Sequence, residues 1–138
     1  MAMAANANER MVLDFFATLS AGNLEGLRVF LHPQATWTAQ VRGVPGAGTH
    51  AGHQGIIDEF LAPVRGLFVP GDPKVLVDTL VSSGPLVMAE TRGVGRLKDG
   101  RPYSNLYAWA IEIADGRLKA LREYMDSHYI VELFQAPP

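Results

Sequence analysis

The sequence predicts an α+β protein: a curled antiparallel sheet with three N-terminal helices packed on its concave face. Up to Pro70 the apolar residues recur at helical spacing between Gly and Pro stops. Beyond it the chain reads as a meander of strands. Asp-Gly stands twice between apolar runs, at Asp99-Gly100 and Asp115-Gly116, which is a strong hairpin signal.

The elements follow in order. Met11, Val12, Phe15, Phe16 and Leu19 mark a helix over 8–21, with Asn8 as its N-cap and Gly22 as its stop. Asn23 caps a second helix that carries Leu24, Leu27, Phe30 and Leu31 and ends at Pro33. Residues 35–41, rich in Thr, Trp and Val, suit a short strand. Gly43 to Gly52 holds four glycines and a proline and reads as a loop. Ile56, Ile57, Phe60, Leu61 and Val64 mark a third helix over about 53–68, which Pro63 kinks or shortens. Four strands follow, Val75–Val81, Leu86–Leu97, Tyr103–Ile113 and Leu118–Met125, and Ile130–Phe134 suits a short helix or strand.

Bulk properties bound the function. A chain of 138 residues, 48% of them apolar, suits one globular domain spanning 1–138. The net charge is −2 and no Lys/Arg block exists, so the electrostatic footprint of a nucleic-acid binder is missing. The absence of cysteine excludes disulfides and thiolate metal sites. Met1 to Asn8 lacks the pattern of a signal peptide, and no apolar run approaches the ~20 residues of a membrane span. The default expectation is a cytoplasmic protein with no membrane partner.

Side chains alternate across a strand, so the hairpin loops decide which residues share a face. If each Asp-Gly closes a three-residue loop with a bulge, odd positions pair with odd. One face then gathers Ala89, Thr91, Gly93, Asn105, Tyr107, Trp109, Leu121, Glu123 and Met125. With two-residue loops the parity changes, and Glu90 and Arg92 join Tyr107, Trp109, Arg122 and Asp126. Both loop types accept Asp-Gly, and the sequence leaves the two open. The first set surrounds one carboxylate with aromatics and small residues, as a pocket would.

Three segments carry a family resemblance: Phe30-Leu31-His32-Pro33-Gln34-Ala35-Thr36-Trp37, His53-Gln54-Gly55-Ile56-Ile57-Asp58-Glu59-Phe60, and Asp115-Gly116-Arg117-Leu118 through Arg122-Glu123-Tyr124-Met125-Asp126. Over about residues 8–128 the chain resembles the nuclear-transport-factor-2-like superfamily, and within it the SnoaL-like polyketide cyclases and their ketosteroid-isomerase-like relatives. The resemblance implies a cone-shaped α+β barrel with a pocket between helices and sheet, and a homodimer formed through the sheet. By family spacing Glu123 matches a pocket acid of SnoaL-like cyclases and limonene epoxide hydrolase. Trp109 falls near the place of a histidine in those cyclases and an aspartic acid in ketosteroid isomerase. Two departures stand out. No acid occupies Ala35–Ala39, where ketosteroid isomerase has its general base. Thr91-Arg92-Gly93 stands where the epoxide hydrolase has Arg-x-Asp.

Two functional readings result. In the first the protein is a cofactor-independent enzyme doing acid/base chemistry (isomerisation, cyclisation, dehydration or hydrolysis) on a small hydrophobic carbonyl compound. Glu123 is its acid/base, because burial raises a carboxyl pKa toward neutrality. Asn105 and Tyr107 orient the substrate oxygen. Trp37, Trp109, Phe16, Phe60, Thr91 and Met125 line the apolar site. In the second reading the domain binds a ligand or a protein partner without chemistry. Glu123 is then a structural acid and the aromatics are core. No metal site is expected: His50 and His53 lie three apart without a third ligand and read as helix-start residues. Asp126 reads as a cap for 127–134, and Glu90 with Arg92 as a surface or interface ion pair.

Overall fold

The computed structural model describes residues 2–135. The elements are α1 (Ala7–Ser20), a 3₁₀ turn (Glu25–Val29), β1 (Leu31–Ala39), β2 (Gly48–Ala51), a π-helical segment (Gln54–Leu61) continued by α2 (Ala62–Arg65), β3 (Lys74–Ser83), β4 (Leu86–Arg96), β5 (Pro102–Ala114), β6 (Arg117–Met125) and α3 (Ser127–Gln135). Six strands form one curled sheet in the order β2-β1-β6-β5-β4-β3. The two end strands do not pair with each other, so the sheet stays open rather than closing into the expected barrel. It is also mixed rather than wholly antiparallel, because β1 runs parallel to β6.

The helical half differs most from expectation. Of the three N-terminal helices, α1 alone is a regular α-helix of several turns. The second is a five-residue 3₁₀ turn, in which Asn23 Oδ1 accepts the Gly26 N–H at 3.0 Å. Its expected last turn is strand instead: Leu31 pairs with Leu118, and the register slips between Leu31 and Thr36. Pro33 lies in that slip, where a missing ladder donor costs least. Pairing with β6 has overridden the local helical pattern. The third helix is widened to π geometry, with the Ala62 N–H reaching back to the Ile57 carbonyl. Pro63 has no N–H and its ring crowds the carbonyl four residues back, which a wider turn relieves. Part of the expected 43–52 loop pairs with β1 as β2, and the segment after β6 forms α3, with Asp126 Oδ1 accepting from Tyr129 N–H at 3.2 Å.

The N-cap of α1 is Asn6, not Asn8. Asn6 Oδ1 accepts the Glu9 N–H at 2.9 Å, and the Glu9 carboxylate reaches back to the Ala5 N–H at 3.0 Å. That reciprocal arrangement satisfies helix-start donors in the manner of a capping box. Glu9 is buried because it also takes the Ser82 hydroxyl from the end of β3. Asn8 instead donates to the Gly84 carbonyl in the β3–β4 turn at 3.0 Å. These bonds fix one end of α1 on the sheet.

The hairpins settle the facing. Between β4 and β5, Leu97 and Arg101 bracket a three-residue loop in which Gly100 has φ +95°. Between β5 and β6 the loop has two residues, Asp115 and Gly116, both at positive φ (55° and 71°) as a type I′ turn needs. A bulge then pairs Ile113 with Leu118 but Glu112 with Ala120, and so restores the odd-with-odd register. Thr91 therefore opposes Tyr107, which opposes Met125, and Ala89 opposes Trp109, which opposes Glu123. Glu90 stays on the outer face, and Arg92 pairs with Asp78 of β3 at 2.8 and 3.0 Å rather than with Glu90.

The inner face packs on the helices. Phe15 meets Trp37 with ring centroids 5.9 Å apart and Phe16 meets Trp109 at 5.1 Å, and the two tryptophans meet each other at 5.2 Å in the centre. A second cluster, Phe68, Leu97, Tyr103 and Ile130, lies toward α3. The cap assignment is checked by denaturation. Asn6→Ala is expected to lower stability by about 1 kcal/mol, whereas Asn8→Ala, outside the cap, stays within roughly 0.5 kcal/mol of the parent. Equal losses in urea unfolding would contradict it.

Candidate active site

A cavity of about 120 Å³ opens where the two clusters meet. An apolar cavity of roughly 150 Å³ accepts benzene, so this space suits a small apolar body. β1 and β6 supply Trp37, Ala39, Glu123 and Met125; β4 and β5 supply Thr91, Gly93, Tyr103, Tyr107 and Trp109. The helical side contributes Phe60, Leu61, Val64 and Arg65, and α3 contributes Ile130 and Phe134. Val44, Pro45 and Gly46 cover it from the β1–β2 loop. That loop is held by His50, whose Nε2 lies 2.8 Å from the Gly46 carbonyl and whose ring stacks on Phe60 at 4.0 Å. Gly46 has φ +81°, and a Cβ there would sit 2.7 Å from the Phe60 ring, so the close approach admits only glycine.

Among the described residues Glu123 is the cavity's sole side-chain carboxylate. Parallel pairing sets Ala39 beside Glu123 and Trp37 beside Leu121. From there the Trp37 indole N–H donates to Glu123 Oε1 at 3.2 Å. Oε2 has no hydrogen-bond partner among the described residues and is not an enclosed orphan, so it faces the cavity. Glu123 is half-buried by surface area, and it is part of the cavity wall. Burial pushes its pKa up to about 7, against a partial lowering by the Trp37 hydrogen bond.

Two tyrosines face this acid. The hydroxyls of Tyr103 and Tyr107 hydrogen-bond to each other. Burial is the main cause that pushes Tyr103 up to about 12 and Tyr107 well above its usual value, and a charge on Glu123 adds to both. Both remain neutral O–H donors. Gly93 lies under them, where a Cβ would come within 3.1 Å of Tyr107 and 3.3 Å of Tyr103. Thr91 Oγ1 accepts the Trp109 indole N–H at 2.9 Å, which leaves the Thr91 hydroxyl hydrogen free to donate.

Of the residues expected at the site, Glu123, Tyr107, Trp37, Trp109, Phe60, Thr91 and Met125 line the cavity. Phe16 does not: it packs edge-on behind Trp109 at 5.1 Å. Asn105 is buried in the wall rather than on it. Its Oδ1 accepts the Leu106 N–H at 3.0 Å, and its Nδ2 points toward the two tyrosines without a hydrogen-bond partner. Sequence reasoning missed Tyr103, although it stands two residues before Asn105 on the same strand face. It also missed Arg65 and the α3 residues, which no strand pattern signals. His53 Nε2 lies 2.8 Å from the Leu31 carbonyl, and the described residues hold no cluster of three metal-ligating side chains.

The fold and this enclosed acid define a class: a curled-sheet α+β pocket protein. Residues 12–121 match the family described as the SnoaL-like domain, and the chain belongs to it. Its structure is similar to TerC co-crystallised with polyporic acid (TM-score 0.81, 22% identity, 94% of this chain and 98% of that one). It is also similar to a putative SnoaL-like polyketide cyclase from Jannaschia sp. CCS1 (TM-score 0.75, 17% identity, 99% and 100%). A third is a hypothetical protein of ketosteroid-isomerase-like fold from Catenulispora acidiphila DSM 44928, in complex with trimethylamine (TM-score 0.76, 15% identity, 92% and 93%). At these identities the likeness shows the fold. No curated protein matches the sequence.

The raised pKa has a measurable consequence. Glu123 holds its proton in the folded state up to about pH 7 but loses it near 4.5 when unfolded. The folded state binds more protons in that window, so its stability falls as pH rises from about 4.5 to 7, by roughly 3 kcal/mol at most. Glu123→Gln, which cannot ionise, is expected to flatten this slope and to be the more stable form above pH 7. Parallel urea titrations from pH 5 to 8 measure it, and identical slopes would refute the desolvated carboxyl.

Proposed function

We propose that the protein is a cofactor-independent enzyme that moves a proton on a small apolar carbonyl compound. The observation that carries this is the free Oε2 of Glu123, aimed into an apolar cavity from a carboxyl poised near neutrality. In the ionised form Oε2 takes a proton from carbon beside the carbonyl. The negative charge passes to the carbonyl oxygen, where the Tyr103–Tyr107 hydroxyl pair supplies donors that do not ionise themselves. Protonated Glu123 then returns the proton, to another carbon for isomerisation or to a leaving oxygen for dehydration. Cyclisation follows when the carbanion attacks a second carbonyl. Trp37 holds Oε1 and so orients the carboxyl, and Trp109, Phe60 and Met125 grip the apolar body. Asn105 acts behind the tyrosines rather than on substrate. The co-crystals of the related TerC and of the Catenulispora protein with small molecules support a ligand-binding pocket in this fold.

The non-catalytic reading has one observation of its own: among the described residues Glu123 is the only side-chain carboxylate at the cavity, with no second acid or histidine beside it. Turnover distinguishes the two. With a panel of β-diketones and enones, followed by deuterium exchange at the carbon beside the carbonyl, Glu123→Gln is expected to lower the exchange rate about 100-fold or more while leaving ligand affinity intact. Exchange at the parental rate in that variant would sink the assignment.

We also propose that the chain is one domain that pairs as a homodimer through the outer sheet face. Val81, Met88, Leu106 and Tyr124 stand exposed there, and an apolar strip of that kind marks an interface. Leu106→Glu is expected to convert a dimer into a monomer in light scattering after size exclusion. A parent that is already monomeric at micromolar concentration would refute it.

A further inference from the structure

The cavity has a second hollow on the far side of one of its walls. A surface groove of about 350 Å³ lies there, and Val44, Pro45, Gly46, Phe60 and Val64 line both spaces. The β1–β2 loop is therefore a partition, with the Glu123 cavity on one side and the groove on the other. The groove runs outward over Pro63 and Leu67, which are exposed. An exposed apolar surface of this kind gives an apolar molecule a place to rest before it enters.

The partition is held to the body at one point. Among the described residues, positions 42–47 make two hydrogen bonds. One is internal, from the Ala47 N–H to the Val44 carbonyl at 3.2 Å. The other comes from β2, where His50 Nε2 lies 2.8 Å from the Gly46 carbonyl, to which it donates. The pairing of β2 with β1 sets His50 opposite Trp37. Its ring lies flat on Phe60, at 4.0 Å and an interplanar angle of 4°. Phe60 in turn meets Trp37 edge-on at 5.4 Å. The latch is thus packed onto the residue that holds Glu123. Gly43 and Gly48 flank the segment at φ +74° and +93°. A Cβ at Gly48 would meet nothing within 4 Å, and one at Gly43 only the Gln135 side chain at 4.0 Å, so the backbone has room to turn at both. The other walls are tied more firmly. The sheet is a continuous ladder of six strands. On α3, the Leu133 carbonyl accepts from Arg101 Nη1 at 2.7 Å and the Tyr129 hydroxyl accepts from the Ser104 N–H at 3.0 Å.

We propose that residues 44–47 are the door to the Glu123 cavity and that His50 is its latch. Small neutral molecules collect in the outer groove and pass inward when the Gly46 carbonyl leaves His50. His50 lies outside the cavity lining and touches no occupant; it acts by positioning the loop. The route concerns access alone and holds whether or not Glu123 transfers a proton.

Both tryptophans of the chain line the cavity and are buried, so quenching of their fluorescence by acrylamide reports entry. His50→Phe keeps an aromatic ring for Phe60 but has no N–H. It is expected to raise the bimolecular quenching constant roughly two- to tenfold, the range that one hydrogen bond sets, with the thermal midpoint unchanged. His50→Gln, whose amide N–H reaches about as far, is expected to bring the constant back toward the parent. Gly46→Ala is expected to give the same rise by another route, since its Cβ would stand 2.7 Å from Phe60 and 2.9 Å from Val64 and prop the segment away. Arg101→Ala releases α3 instead and is expected to leave quenching at the parental level. Parental quenching in both His50→Phe and Gly46→Ala would overturn the proposal. An equal rise in Arg101→Ala would also overturn it, by making α3 the door or the loosening general. Quenching in His50→Gln as strong as in His50→Phe would remove the N–H from the account, and the latch with it.

Discussion

A one-residue bulge after the Asp115-Gly116 turn decides where the Glu123 carboxylate goes. The two-residue turn alone would have placed Glu123 on the outer face, with the charge in water. Because Ile113 pairs with Leu118 while Glu112 pairs with Ala120, every later residue of β6 is turned through one pleat. Leu121 and Glu123 then join Trp109 and Tyr107 inside. The same strand face must also serve β1, whose parallel pairing seats Trp37 next to Leu121 and brings its indole N–H to Oε1. The cavity, its acid and the orienting tryptophan all depend on that register.

Burying one carboxyl among aromatics is costly, and the structure shows how the cost is limited. A fully ionised, unpaired carboxylate in such a place would be penalised far more than a protonated one. The group responds by holding its proton to near neutrality, and a single indole donor moderates the shift rather than cancelling it. A cationic partner would have done the opposite, locking the carboxylate in its charged form. With an indole N–H rather than a cation as its partner, the carboxyl keeps its proton to near neutrality. Similar logic applies to the tyrosines: burial keeps both phenols protonated and so able to donate.

Much of the sheet was legible because strand signals are local. Strand positions, the Asp-Gly turns and the alternating face that holds Thr91, Tyr107, Trp109, Glu123 and Met125 all follow from a period of two and from turn chemistry. The parity was not legible, since Asp-Gly accepts either loop, and the structure uses one of each. The helical half read less well because its decisive contacts are distant in sequence. Leu31 ends a helical pattern but is captured by β6. Asn8 and Asn6 both precede the same apolar run, and only the reach of Glu9 to Ser82 singles out Asn6. Tyr103 was within reach of the alternation rule, whereas Arg65, Ile130 and Phe134 arrive at the cavity through packing that no spacing encodes.

The departures from named relatives now have a physical sense. Ketosteroid isomerase places a base on the first strand, and this chain places Trp37 there. An acid on this strand face would share one dry site with Glu123, and two carboxyls there cannot both ionise. Trp37 instead donates to the acid on the neighbouring strand and adds apolar wall. In Thr91-Arg92-Gly93, set against the Arg-x-Asp of an epoxide hydrolase, the one arginine is the middle residue; it points to the outer face and is taken by Asp78. Gly93 then leaves the floor open for Tyr103 and Tyr107 to lie close to the strand. The donors that face Glu123 are phenols rather than a guanidinium. A neutral donor need only share its proton with a developing negative charge on oxygen, which is the condition the proposed proton transfer sets.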